Sequence, residues 1–227
     1  AEKTRTLADK NEELGTLYEV AALLSQPRSI ETLCNDFLRK IMARLDAQGG
    51  AVRLVEADSG KIHMFVQQGL SGEFAATERC LERDDCLCGE GAQRAHASVH
   101  VLARGALRNE PLRCREEGFG TVGVFPIRLR EHNLGLFNLY FREAREFSGQ
   151  ERFMLETLGR HLAIAVENRR LVAREKEMAI SEERNLLAQE LHDSIEQPAR
   201  VRAQSGRRRA KASRPGWSSQ GRRMSSS

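Results

Sequence analysis

Two groups of residues in this sequence could do chemistry. One is His192, in the string LAQELHDSIEQ over 187–197, with Asp193 directly after it and Gln197 one helical turn beyond that aspartate. A neutral imidazole nitrogen is a nucleophile, and an adjacent carboxylate keeps positive charge from building up on the ring as it attacks. The other is a set of cysteines, Cys80, Cys86, Cys88 and Cys114, spaced C-x5-C-x-C-x25-C, three of them within CLERDDCLCGEG. Four thiolates could hold zinc or an iron–sulfur cluster. The spacing is not the paired C-x2-C of strong metal sites, so reduced, partly buried thiols are the favoured reading, with a metal or redox role as the sharper one. The fifth cysteine, Cys34, falls on an amphipathic helix and is read as core.

These residues need elements to position them. Leu7, Leu14, Leu17, Val20 and Leu24 recur at helical spacing, predicting a helix over about 6–26 that Pro27 ends. Ile30, Leu33, Phe37, Ile41 and Leu45 mark a second helix, with Ser29 as N-cap and Gly49-Gly50 as its stop. AVRLVEADSGKIHMFVQQG reads as a β-hairpin around Asp-Ser-Gly. TVGVFPIRLREHNLGLFNLYF gives two more strands around Glu131-His132-Asn133, with Pro126 requiring an edge or a bulge. Ser148 and Glu151 form a capping box, and no helix breaker follows until Pro198. A helix over 149–197 would be about 74 Å long at ~1.5 Å per residue, too long to be buried in one small domain. The apolar residues Leu187, Leu191 and Ile195 make a partner-helix seam beside His192, which could by itself be an ordinary solvated histidine. The order predicts an α+β domain, an antiparallel sheet with helices on one face, flanked by long helices. The divisions are an N-terminal helix over 1–26, the sensor-like domain over 27–148, the long helix over 149–197, and a tail over 198–227.

Composition bounds the rest. The 227 residues are 40% hydrophobic and 30% charged, with a net charge of +4. Nine of the 36 Lys and Arg lie in 198–227, which has no Asp or Glu; the other 27 face 32 acidic residues. The body is therefore acidic, and nucleic acid is not an expected partner. An odd set of five cysteines is not a secreted disulfide framework, so a reducing, cytoplasmic setting is expected. No stretch has the ~20 apolar residues of a membrane span, and none reads as a signal peptide. The tail is rich in Arg, Ser and Gly without periodicity, and is expected to be disordered; an aberrant, frame-shifted or truncated end explains its abrupt start better than a nucleic-acid arm.

The pattern over residues 16–170 resembles a GAF domain, a small-ligand and signalling module of sensor proteins. EERNLLAQELHDSIEQ is similar to the histidine-kinase phosphoacceptor box E-R-x-x-x-A-x-E-L-H-D-x-x-x-Q, which Glu183, Arg184, Ala188, Glu190, Leu191, His192, Asp193 and Gln197 match. Together they resemble the NarX-like nitrate/nitrite sensor kinases of two-component systems. That resemblance implies His192 as phosphoacceptor, Asp193 as base, and Gln197 as the residue orienting water for dephosphorylation of a response regulator. The apolar stripes at Leu7/Leu14/Leu17 and Leu158/Leu162/Ala165 predict a homodimer through the flanking helices, the alternative being a solvated rod. The parent protein would sit in the bacterial inner membrane. The family's ATP-binding domain would follow the box; here no nucleotide-binding glycine box follows, so the chain alone is not expected to be an active kinase, and no cofactor is expected in it. The competing reading is a non-enzymatic GAF regulator that senses a small ligand or redox state through its pocket or cysteines.

Overall fold

The computed structural model describes residues 14–56, 59–82, 86–104, 107 and 111–211, with side chains described as far as His192. Helix α1 covers residues 14–24 and α2 runs Ile30–Leu45, followed by strands β1 (Gly49–Val55) and β2 (Ile62–Gln68). Short elements come next: α3 (Gly72–Thr77), β3 (Cys80–Leu81), α4 (Leu87–Gln93), β4 (Ser98–Val101) and α5 (Arg113–Glu116). Strands β5 (Thr121–Leu129) and β6 (His132–Phe141) form a second hairpin, and α6 runs Gly149–Lys211. The six strands order as β3-β2-β1-β6-β5-β4, every pair antiparallel.

Local chemistry sets the boundaries. The Ser29 hydroxyl accepts from the Thr32 amide and caps α2. The helix ends earlier than expected, at Asp46, which takes a left-handed conformation. Gly49 and Gly50 are not its stop; they open β1, where a Cβ on Gly50 would collide with Leu38 and Met42 of α2. Pro126 is tolerated because β4 pairs with β5 only as far as Val124, leaving that side of the strand open, and a bulge follows at Ile127/Arg128. The capping box forms in full: Ser148 N donates to Glu151 Oε2 at 2.8 Å, and Glu151 N donates to Ser148 Oγ at 3.1 Å.

Both faces of the sheet are covered. On one, α1, α2 and the first turns of α6 bury Val20, Phe37, Ile41, Leu155, Leu158 and Leu162 against Val52, Leu54, Phe125 and Phe137. Phe137 stacks on Phe125 at 5.0 Å and meets Phe37 edge-on at 5.2 Å, contacts worth about 0.5–1.5 kcal/mol each beyond area burial. The α6 backbone comes so close that a Cβ on Gly159 would strike the Pro126 carbonyl. On the other face, α3 and α4 pack Phe74, Cys88 and Ala92 over Ala51, Ile62, Val122, Leu136 and Tyr140. The sequence pattern detects the long helices and leaves these short ones unmarked.

Two expectations for the helices change. Leu158, Leu162 and Ala165 face the sheet and are buried in the core, so they are not a dimer seam. Of the paired N-terminal stripe, Leu17 packs partly against the same core, Leu14 is exposed, and Leu7 lies outside the described residues. The second change is at Pro198, where the helix was expected to stop and instead continues to Lys211. A proline removes one backbone hydrogen bond, and the strong helix formers after it, Ala199, Arg200, Arg202, Ala203 and Gln204, favour resuming the helix. The tail is thus helical over 198–211, and 212–227 lie outside the described residues.

Candidate functional site

Polar chemistry concentrates on the sheet face beneath α3, α4 and α5. In register, Ala51 lies opposite Asn138 and Arg53 opposite Leu136, so Arg53 and Asn138 share the face of Ala51, Leu136 and Tyr140. Arg53 is completely buried. Its Nε donates to Asn138 Oδ1 at 3.1 Å, its Nη1 to the Glu78 carbonyl at 2.6 Å, and its Nη2 to Glu78 Oε2 at 3.4 Å. Glu78 caps the C-terminus of α3 and is itself buried; Arg113 of α5 reaches its Oε1 at 2.8 Å from the surface side. A buried charge is stable only when paired and hydrogen-bonded, and this one is satisfied on every arm of the guanidinium. The Tyr140 hydroxyl next to it is buried without a hydrogen bond of good geometry, and burial pushes the phenol well above its usual range.

Three of the cysteines meet above this floor. Cys86, Cys88 and Cys114 line a cavity of about 110 Å³ with Glu78, Leu87, Pro111, Leu112 and Arg113. Cys88 is fully buried and accepts from Asn138 Nδ2 at 3.4 Å. Cys86, two residues before it, half-emerges at the N-cap of α4. Hydrogen bonding from the Cys88 thiol, helped by the Gly89 and Cys88 amides, outweighs burial and lowers the Cys86 thiol to about 6. The same bond, with burial, pushes Cys88 well up. Burial pushes Cys114 up to about 12, reinforced by Glu78.

Cys80 does not join them. It lies exposed on β3 opposite His63, so the four-thiolate shell suggested by the spacing does not assemble. Among the described residues no group of three or more His, Cys, Asp or Glu is placed to hold a metal ion. Cys34 is fully buried on α2, a core residue as expected, and burial pushes its thiol up to about 12.

His192 stands exposed on α6, and so do Leu187 and Leu191 of the seam beside it. Asp193, Ile195 and Gln197 are on helical backbone, with side chains outside the described residues. From Val172 to His192 every described side chain is exposed. Met178 and Leu187 are nine residues apart, about 180° around an α-helix, so Leu171/Met178 and Ile180/Leu187 are apolar stripes on opposite sides.

Sequence reasoning missed Arg53, Glu78, Asn138 and Tyr140. The available signal was that the alternate positions of β1, β5 and β6 are apolar as well (Ala51, Val122, Val124, Leu136), marking a sheet buried on both faces.

A curled antiparallel sheet between long helices and short ones, with a small pocket under the short ones, defines a class, and a GAF domain profile matches residues 27–167. The chain belongs to the GAF domain family. It is 28% identical over 192 residues to the sensor histidine kinase YhcY of Bacillus subtilis (strain 168), covering 82% of this chain and 50% of that protein. The chain thus spans about half the length of its curated relative. Its fold is shared with the GAF domain of an Acinetobacter phosphoenolpyruvate-protein phosphotransferase (TM-score 0.61, 15% identity, 72% of this chain and 98% of that one). It is also shared with the free methionine-R-sulfoxide reductase of Neisseria meningitidis in complex with its substrate (TM-score 0.59, 13% identity, 70% and 91%). Among the described residues no helix is long and apolar enough to cross a membrane.

Proposed function

We propose that this chain is the signal-transmitting segment of a two-component sensor histidine kinase of the nitrate/nitrite type, with His192 as its phosphoacceptor. The observation that carries the reading is α6, one unbroken helix whose first turns are anchored in the sheet core by Leu155, Leu158 and Leu162 and which reaches an exposed His192. Kinship with a sensor histidine kinase supports it. In this reading the domain biases the helix, and a partner ATP-binding domain delivers the γ-phosphoryl group to the imidazole. Asp193 takes the other ring proton, so the attacking ring does not accumulate charge. Gln197 orients water when the phosphorylated response regulator is dephosphorylated. Two copies pair through the exposed apolar stripes beyond Leu171, since the stripe at Leu158/Leu162/Ala165 is committed to the core. The segment is cytoplasmic and its parent protein is held in the bacterial inner membrane.

The test is phosphotransfer in trans. The chain is mixed with a full-length sensor kinase relative and labelled ATP, as wild type and as His192→Gln. Label on the wild type alone supports the assignment; equal label on both chains refutes it.

A further inference from the structure

We propose that Cys86 and Cys88 form a peroxide-responsive dithiol, Cys86 attacking and Cys88 resolving, in the cavity beneath α4 and α5. Three features of the geometry point there. Cys86 and Cys88 stand two residues apart at the start of α4 and line the same small cavity. Access is graded as such a pair requires: Cys86 is partly exposed and Cys88 is fully buried behind it. The cavity, about 110 Å³, gives a small molecule access to Cys86. It suits hydrogen peroxide or a small organic hydroperoxide.

The chemistry balances with the peroxide as the named oxidant. The Cys86 thiolate attacks one peroxide oxygen, the O–O bond breaks, and the departing oxygen leaves as water or alcohol after taking a proton. Cys86 is then a sulfenic acid. The Cys88 sulfur attacks the Cys86 sulfur, the S–O bond breaks, and the expelled hydroxide takes the Cys88 proton and leaves as water. Two thiols are oxidised to one disulfide and the peroxide is reduced. The product has lost the Cys88 thiol hydrogen and draws that sulfur toward Cys86. Asn138, which bonds both Cys88 and Arg53, carries the change to β6 and β1.

This inference does not depend on His192: a chain that never accepts phosphate there can still form the disulfide, so the two readings fail separately. The test uses the whole reduced chain, treated with a chelator, exposed to hydrogen peroxide at pH 6, blocked and peptide-mapped. The expected product is a Cys86–Cys88 disulfide, reversed by dithiothreitol. At that pH about half of Cys86 is thiolate, against well under a hundredth of an ordinary thiol; allowing for the weaker nucleophilicity of an acidic thiolate, Cys86 should react about tenfold faster than free cysteine in the same tube. Its rate should rise with a midpoint near pH 6. A Cys88→Ala chain should stop at a Cys86 sulfenic acid that dimedone traps, and the wild-type map serves if that variant does not fold. Recovery of Cys86 and Cys88 as free thiols after Cys80 has oxidised would overturn the proposal, and so would a disulfide from Cys86 to Cys114.

Discussion

The two faces of the sheet are built from different materials. The face under α2 and α6 is closed by aliphatic and aromatic side chains, with Phe37, Phe125 and Phe137 at its centre. The face under α3, α4 and α5 has an apolar cluster too, but buries Arg53, Glu78 and Asn138 in it, and ends in a small cavity edged by thiols. Apolar packing needs no exact partner, whereas a buried guanidinium is tolerable only if each arm is answered. The first face can therefore be read as the source of stability. The second gives up part of that stability to hold a specific polar arrangement beside the thiol-lined cavity.

Mutation can break or sharpen this contrast. Phe137→Ala should destabilise by about 3–5 kcal/mol, because it empties the aromatic centre of the apolar face, and a urea titration would show the midpoint falling. Glu78→Ala should cost nearly as much, about 3–5 kcal/mol, since it strands the Arg53 charge in the interior. Replacing the pair together, Arg53→Met with Glu78→Met, should cost clearly less than Glu78→Ala alone. A double replacement as damaging as the single one would mean that the ion pair contributes net stability and would end the contrast. At the small end, Arg104→Ala removes an exposed bridge to Glu146 and should change stability by less than about 1 kcal/mol.

Titration separates the faces in another way. Cys34 on one side and Cys114 on the other are both pushed up to about 12 by burial. The folded state keeps protons that the unfolded chain releases, so this contribution is whole below about pH 9 and is lost as the pH rises from there toward 12. Under reducing conditions the melting temperature should fall over that window, and Cys34→Ala should make the fall shallower. An unchanged slope would show that the thiols do not govern it.

What the sequence disclosed depended on how local each signal was. Ser29, Ser148 and Glu151 announce helix starts because a cap is satisfied within three residues, and each forms as written. Both hairpins were legible from alternation. Arg53 was not: within AVRLV a lone arginine reads as the solvent side of a strand, and only the covering helices, folded from a distant and irregular stretch, make it interior. Leu158, Leu162 and Ala165 illustrate a different ambiguity, since an apolar stripe looks alike whether a sheet or a second chain will cover it. Pro198 misled because the penalty for a proline is local, while the helix is favoured by the residues on both sides of it.

The stretch beyond Leu171 is as unlike the domain as the two faces are unlike each other: every described side chain from Val172 to His192 is exposed. In the proposed reading, the exposed Leu187 and Leu191 beside His192 serve a partner helix. The most direct measurement is therefore the site at which phosphate arrives. The chain is labelled by a complete sensor kinase and ATP, digested at neutral to alkaline pH to spare phosphohistidine, and mapped by mass spectrometry. The account predicts the phosphoryl group on the peptide carrying His192, at a yield that falls at least tenfold in Asp193→Asn. A phosphoryl group on any other residue, or none on the wild-type chain while the kinase labels itself, would contradict it.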